Sequence, residues 1–175
     1  KASLVYTVGV AARPSAKIGI GPQAVTANWL RDGGDIGILA GRDLSAAPTG
    51  QILSGWDVRA ASGGSLRWAV GLSRFEQGVA ALGGGNISVA AGRDISNLSA
   101  TIPTTGAQRA GSDQFDSWGG GNLIMDAGRD LLSGVISTWR GDATVRAGRD
   151  IGLASGGTGA VAHTIVASSA GRVGL

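Results

Sequence analysis

The chain has 175 residues, no cysteine, a formal net charge of +3 and 43% apolar residues. That composition excludes a disulfide framework, a thiolate metal site and a chain disordered for want of apolar residues. Acidic and basic residues are interleaved rather than blocked, and no apolar run approaches the ~18 residues of a membrane span, so neither a nucleic-acid partner nor membrane insertion is expected. The 32 glycines against four prolines indicate a fold that turns every few residues, without the three-residue period of collagen. The chain opens on Lys1, has Met125 as its single methionine, and reads as a piece of something longer.

Residues 1–33 read as irregular leading turns. Leu4, Tyr6, Val8 and Val10 alternate with smaller or polar residues, the period of a strand. Pro22 to Arg31, with Val25 and Trp29 four apart, fits a short helix as well as another strand. Residues 34–99 then introduce a repeat. Gly34–Leu44 is its first copy, and Gly85–Ile95, Gly121–Leu131 and Gly141–Ile151 are the others. The pattern is Gly, then Asp or Asn, then apolar-x-apolar-x-Ala-Gly-Arg-Asp-apolar. The alternation predicts a short strand with one face inward.

The glycines closing each strand, Gly41, Gly92, Gly128 and Gly148, are expected to need either a positive φ or a close backbone approach. Arg42 and Asp43, Arg93 and Asp94, Arg129 and Asp130, and Arg149 and Asp150 are expected outside, at the corner. The carboxylates suit backbone N–H groups of a turn.

The segments between copies are less regular. Val58–Ala61 and Gly64–Gly71 are both degenerate versions of the pattern, and only one of them can occupy the corner position. Leu72, Phe75, Val79 and Leu82 recur at helical spacing, which fits a short helix near 72–82. Residues 100–117 carry Pro103, Thr104-Thr105-Gly106 and the polar run Gln108 to Asp116; this is loop chemistry. From 118 to 175 the chain becomes regular, and Ala170-Gly171-Arg172-Val173 reads as a fifth corner without its Asp.

The last two copies start 20 residues apart. A five-residue strand cannot bury its apolar face alone, but units stacked at the spacing of paired strands build a continuous apolar column. Apolar intervals of two exclude a helical repeat, and a propeller blade needs about 40 residues. The expected fold is all-β, a single parallel β-helix of ~20-residue coils with loop excursions. Residue n should lie beneath residue n + 20. Leu123 then meets Ala143, Met125 meets Val145, Ala127 meets Ala147, and Leu131 meets Ile151. Asp130 meets Asp150, so an Arg-Asp ladder is expected to offset the repulsion between like charges.

These copies, with Phe75-Glu76-Gln77-Gly78-Val79-Ala80-Ala81-Leu82-Gly83-Gly84-Gly85-Asn86-Ile87 running into Ala91-Gly92-Arg93-Asp94-Ile95-Ser96-Asn97-Leu98-Ser99, resemble filamentous haemagglutinin-type exoproteins. Gram-negative bacteria export these very large proteins by two-partner secretion. The resemblance implies a right-handed β-helix serving as an internal shaft segment of a secreted or cell-surface adhesin. It further implies two partners. One is an outer-membrane transporter, engaged through an N-terminal domain not evident here. The other is a host or neighbouring-cell surface, glycans included.

Residues that could carry chemistry are few. His163 is the sole histidine and has no cysteine to join it, so a structural or exposed position is expected. Asp113 and Asp116 are the least repetitive acidic pair; the Asp residues of the copies recur as a structural corner would. The nine-residue calcium-binding repeat is absent, and Gly83–Gly85 and Gly119–Gly121 lack the Lys-Ser/Thr of a phosphate loop. No catalytic residue, metal ligand or cofactor is therefore assigned. Trp29, Trp56, Trp68, Trp118 and Trp139 are expected in the core or at coil ends, although an exposed Trp can stack on a sugar ring. Two functions stay open. One is a structural and adhesive shaft without catalysis; the other is a β-helix that binds or cleaves a polysaccharide.

Overall fold

The computed structural model describes residues 4–19, 21, 24–47, 55–62, 65–76, 78–152 and 164–175. The chain opens with β1 (Leu4–Thr7), β2 (Val10–Ile18) and β3 (Val25–Arg31). The first repeat follows as β4 (Ile36–Ala40) and β5 (Leu44–Ser45). After it come β6 (Asp57–Ser62), β7 (Ser65–Val70), a single 3-10 turn at Leu72–Arg74 and β8 (Gly78–Ala81). The second repeat is β9 (Ile87–Ala91) and β10 (Ile95–Ser96), then β11 (Ala100–Ile102), β12 (Thr104–Gln108) and β13 (Phe115–Gly119). The third is β14 (Leu123–Ala127) and β15 (Asp130–Leu132), followed by β16 (Gly134–Thr138). The fourth is β17 (Ala143–Ala147) and β18 (Asp150–Gly152), followed by β19 (Thr164–Ser168) and β20 (Val173–Gly174).

The protein is all-β, with three parallel sheets and one antiparallel sheet among the described residues. The first parallel sheet runs β4-β9-β14-β17-β20, the second β5-β10-β15-β18, and the third β1-β8-β11-β16-β19. Each sheet is therefore ordered as the chain is ordered. From β8 onward the parallel strands fall in the rotation third, first, second, repeated until β20. The repeat sets this register. Ile36, Ile87, Leu123, Ala143 and Val173 are successive partners in the first sheet.

The expected n + 20 stack is present. Leu123 pairs with Ala143, Met125 with Val145 and Ala127 with Ala147, while Leu131 pairs with Ile151 and Asp130 with Asp150. The longer spacings preserve the same register because the surplus residues leave the stack. Thr104–Gly119, the 16 residues by which a spacing of 36 exceeds one of 20, form the antiparallel hairpin β12–β13.

Strand alternation explains the core. In β14 every second residue is buried, Leu123, Met125 and Ala127, while Ile124 and Asp126 are exposed. These side chains join Ile87, Val89, Ile95, Ile136 and Val145 in one apolar column. The third sheet differs, because β8, β11 and β16 are buried at every position. Val79 and Ala81 face the column, whereas Ala80 and Leu82 pack with Leu30, Trp56, Val70 and Phe75. A parallel sheet covered on both faces carries no polar alternation. Its polar side chains must then find partners, and the Thr101 and Ser137 hydroxyls bond each other at 2.9 Å.

The covering layer is the antiparallel sheet β13-β12-β7-β3-β2, with β6 also paired to β7. It decides one alternative the sequence left open and corrects three expectations. Residues 25–31 are strand and not helix, their inner face held by Val25, Ala27 and Trp29; Pro22 lies outside the described residues. Only 72–74 are helical near 72–82, because Gly78–Ala81 takes its place in the third parallel sheet. Neither 58–61 nor the described part of 64–71 occupies the corner, because β6 and β7 pair with each other, from Asp57↔Val70 to Ser62↔Ser65. Segment 100–117 is mostly strand: Thr101 and Ile102 belong to the third sheet, and β12 and β13 to the antiparallel one.

Candidate functional site

The repeat corners form two polar ladders on the parallel stack. In the first, each arginine reaches back to the Asp of the preceding copy. Arg93 binds Asp43, Arg129 binds Asp94, and Arg149 binds Asp130, each through Nε and Nη2. The Nε distances are 3.0, 2.7 and 2.8 Å. Such two-point pairs match the planar fork of guanidinium to carboxylate. Asp43 and Asp94 also accept the backbone N–H of the next copy's Asp. Like carboxylates therefore stack with an arginine inserted between successive copies. Arg42 stands at the start of the ladder without an ion pair among the described residues. Asp150, at the other end, meets its own Arg149 at 3.2 Å.

The second ladder uses the Asp or Asn that opens each copy. Asp35 accepts the backbone N–H of Asn86, Asn86 that of Asn122, Asn122 that of Asp142, and Asp142 that of Arg172. This places Gly171-Arg172-Val173 in register with Gly141-Asp142-Ala143, so the last partial copy is an opening and not a fifth Ala-Gly-Arg-Asp corner. Arg172 has no side-chain acceptor to continue the series.

The closing glycines divide between the two expected reasons. None of Gly41, Gly92, Gly128 and Gly148 has a positive φ. A Cβ on Gly92, Gly128 or Gly148 would stand 2.3–2.4 Å from the carbonyl oxygen of the corner glycine in the preceding copy. Close approach is thus the reason at three of them, whereas Gly41 has open space around that position. Positive φ occurs instead at the opening glycines Gly85, Gly121 and Gly141.

The ladder makes stability acid-sensitive. The Arg93 side chain holds the Asp43 carboxyl below its ordinary value, and Arg129 does the same to Asp94. A carboxyl with a lowered folded-state pKa stabilises the fold above the unfolded value of about 3.9 and loses that contribution as pH falls through the folded one. Asp94→Asn should therefore lower the thermal midpoint at pH 7, with the difference from wild type closing as the pH is lowered below the ordinary Asp range. Asn retains an oxygen for the Asp130 N–H, so the comparison isolates charge. A difference that stays constant across that range would contradict a contribution from the ionised ladder.

The remaining acidic candidates do not assemble. Asp116 is held by Arg109 across the β12–β13 hairpin, which lowers its pKa, and Asp113 lies in the exposed turn. No group of three or more metal-ligating side chains occurs among the described residues. His163 lies outside them.

The tryptophans fall into two sets. Trp29 and Trp56 are buried, and Trp29 donates its indole N–H to the Gly106 carbonyl at 3.0 Å. Trp68, Trp118 and Trp139 are half-buried. Trp68 and Trp139 share a groove of about 540 Å³, lined also by Leu66, Phe115, Arg59 and Arg67. Pairing across the antiparallel sheet builds it, since Trp68 lies opposite Arg59 on one side and Gly106 on the other.

The Trp68 ring occupies the space a side chain at 106 would need: a Cβ there would lie 2.2 Å from Trp68 Cζ2. The Phe115 ring stands 5.5 Å from that of Trp68, tilted by 40°. The Arg59 guanidinium lies 5.4 Å from the Trp139 ring centre and gives its Nε to Asp57 at 2.9 Å. Burial pushes the Asp57 carboxyl up, and the Arg59 contact opposes that. Trp68 and Trp139 are 71 residues apart in sequence and share no repeat position, so only the fold brings them together. The sequence signal for the groove is the shared parity of Leu66 and Trp68 within a degenerate copy of the repeat.

A second depression, of about 390 Å³, is lined by Arg31, Asp32, Trp118 and glycines of 83–85 and 119–120. The N–H groups of Gly33, Gly84, Gly85 and Gly120 are already given to backbone carbonyls. No family model, curated protein or solved structure matches the chain.

Proposed function

We propose that the chain is a segment of right-handed parallel β-helix, forming the structural and adhesive shaft of a large secreted bacterial surface adhesin of the filamentous haemagglutinin type. One observation carries this reading. Three parallel sheets are each built in chain order, with the same Ala-Gly-Arg-Asp corner stacked at every copy. Such a stack adds length without needing a closed core, as a shaft requires. Export would proceed through an outer-membrane transporter, and the partner would be a host or neighbouring-cell surface.

The test is adhesion of beads coated with the purified chain to cultured cells. Retention that saturates and is competed by free protein supports the reading; retention no greater than that of albumin-coated beads sinks it. No catalysis is assigned to the segment. Incubation with pectin-like and host-glycan substrates should release neither reducing ends nor unsaturated products. Product formation lost in Asp113→Asn or Asp116→Asn would establish an enzyme instead. A second reading, saccharide binding, is favoured by the exposed aromatic groove on the antiparallel layer.

A further inference from the structure

The groove has three features that a structural plug does not need. Its rings are not fully buried: Phe115 is 43% exposed and Trp68 and Trp139 are half-buried, while Leu66 beside them is 54% exposed. Trp68 lies in space left by a glycine at 106. Its lining carries two arginines and no carboxylate. Arg59, opposite Trp68 and on its face of the sheet, uses only its Nε on Asp57, whereas the Arg67 side chain alternates to the other face.

A site that is mostly aromatic with a few charged groups at its margins selects a ligand by flat apolar faces first and charge second. The volume lies in the range of small-ligand sites, about 300–1,000 Å³. A pyranose ring offers flat C–H faces, and a uronic acid adds a planar carboxylate, which the guanidinium fork matches. An extended acidic peptide would gain most from a free strand edge, but β7, which carries Trp68 and Arg67, is paired on both sides.

Resting on the saccharide-binding reading, we infer that this groove binds an acidic oligosaccharide, its uronate rings against Trp68 and Phe115 and a carboxylate at Arg59.

The probe is hexagalacturonate, titrated into the whole chain and followed by tryptophan fluorescence, with maltohexaose and octaglutamate as comparisons. Saturable binding is expected, about tenfold or more tighter than that of either comparison, and weakening as salt rises from about 0.05 to about 0.3 M. Trp68→Ala, and separately Arg59→Gln, should each weaken it about tenfold or more. Arg59→Lys should retain part of the affinity.

Trp68 packs on the hairpin, so each variant's unfolding midpoint is measured. If Trp68→Ala does not fold, Phe115→Ala and Arg59→Gln carry the test. Equal binding of maltohexaose overturns the selection for acid while the saccharide reading survives. Binding of neither sugar sinks both. Equal binding of octaglutamate, or wild-type affinity in all the variants, overturns the assignment of this groove to a uronate ligand.

Discussion

Replacing Leu123 by Ala should destabilise the protein by about 2–5 kcal/mol, the range for truncating a fully buried aliphatic side chain. Leu123 is completely buried and sits in the middle of the column, between Ile87 and Ala143 in register. Two effects add: the apolar atoms removed lose their burial, and the space they leave cannot close. Closure is resisted because the flanking strands are held at fixed spacing by backbone hydrogen bonds, and Ala143 is too small to reach into the gap. Ile124, the next residue, points outward and is 41% exposed. Ile124→Ala should therefore cost less than about 1 kcal/mol, as surface changes usually do. Denaturant unfolding of the two variants is the measurement. Equal effects would mean that the inward parity of the repeat does not define the core.

A comparable loss is expected at a corner glycine, for a different reason. Gly128→Ala should cost roughly 1–3 kcal/mol, as overpacking does. The new Cβ would lie 2.3 Å from the Gly92 carbonyl oxygen and 2.8 Å from its carbonyl carbon. The obstacle is backbone, fixed by the Gly128 N–H to Ala91 bond and the Arg129 N–H to Arg93 bond at 2.9 Å each. It cannot swing aside as a side-chain tip can. Gly41→Ala is the control, because nothing stands within 4 Å of its added carbon; that change should be neutral or slightly stabilising. Thermal unfolding of both variants distinguishes close approach from a general need for glycine at the corner. Equal losses at the two positions would sink the close-approach explanation.

The strand positions in the four copies, their inward faces and the pairing of Leu123 with Ala143 through Leu131 with Ile151 were all legible in the sequence. Alternation is a local property, and a 20-residue period states which copy lies on which. The Arg-Asp ladder was legible in kind but not in direction. Adjacent in sequence, Arg129 and Asp130 come no closer than 3.9 Å, while Arg129 binds Asp94 at 2.7 Å. The parallel stack sets the next copy's Arg across from the preceding copy's Asp, and this depends on spatial register.

The expectations for 58–61, 64–71 and 100–117 fail for a related reason. Each contains a strand pattern, but a strand does not announce whether it will join a parallel stack or fold back on its neighbour. Burial across long separations decided that. The β12–β13 hairpin is anchored by the Trp29 indole on the Gly106 carbonyl, 77 residues away in sequence. The Trp68 ring lies over Gly106, and Trp29, Val58 and Ala69 share one cluster. The repeat by itself determined the stack, because each copy carries its own alternation and its own corner. Only the tertiary structure decided the antiparallel layer and the aromatic groove upon it, because those positions come from contacts between segments that share no pattern.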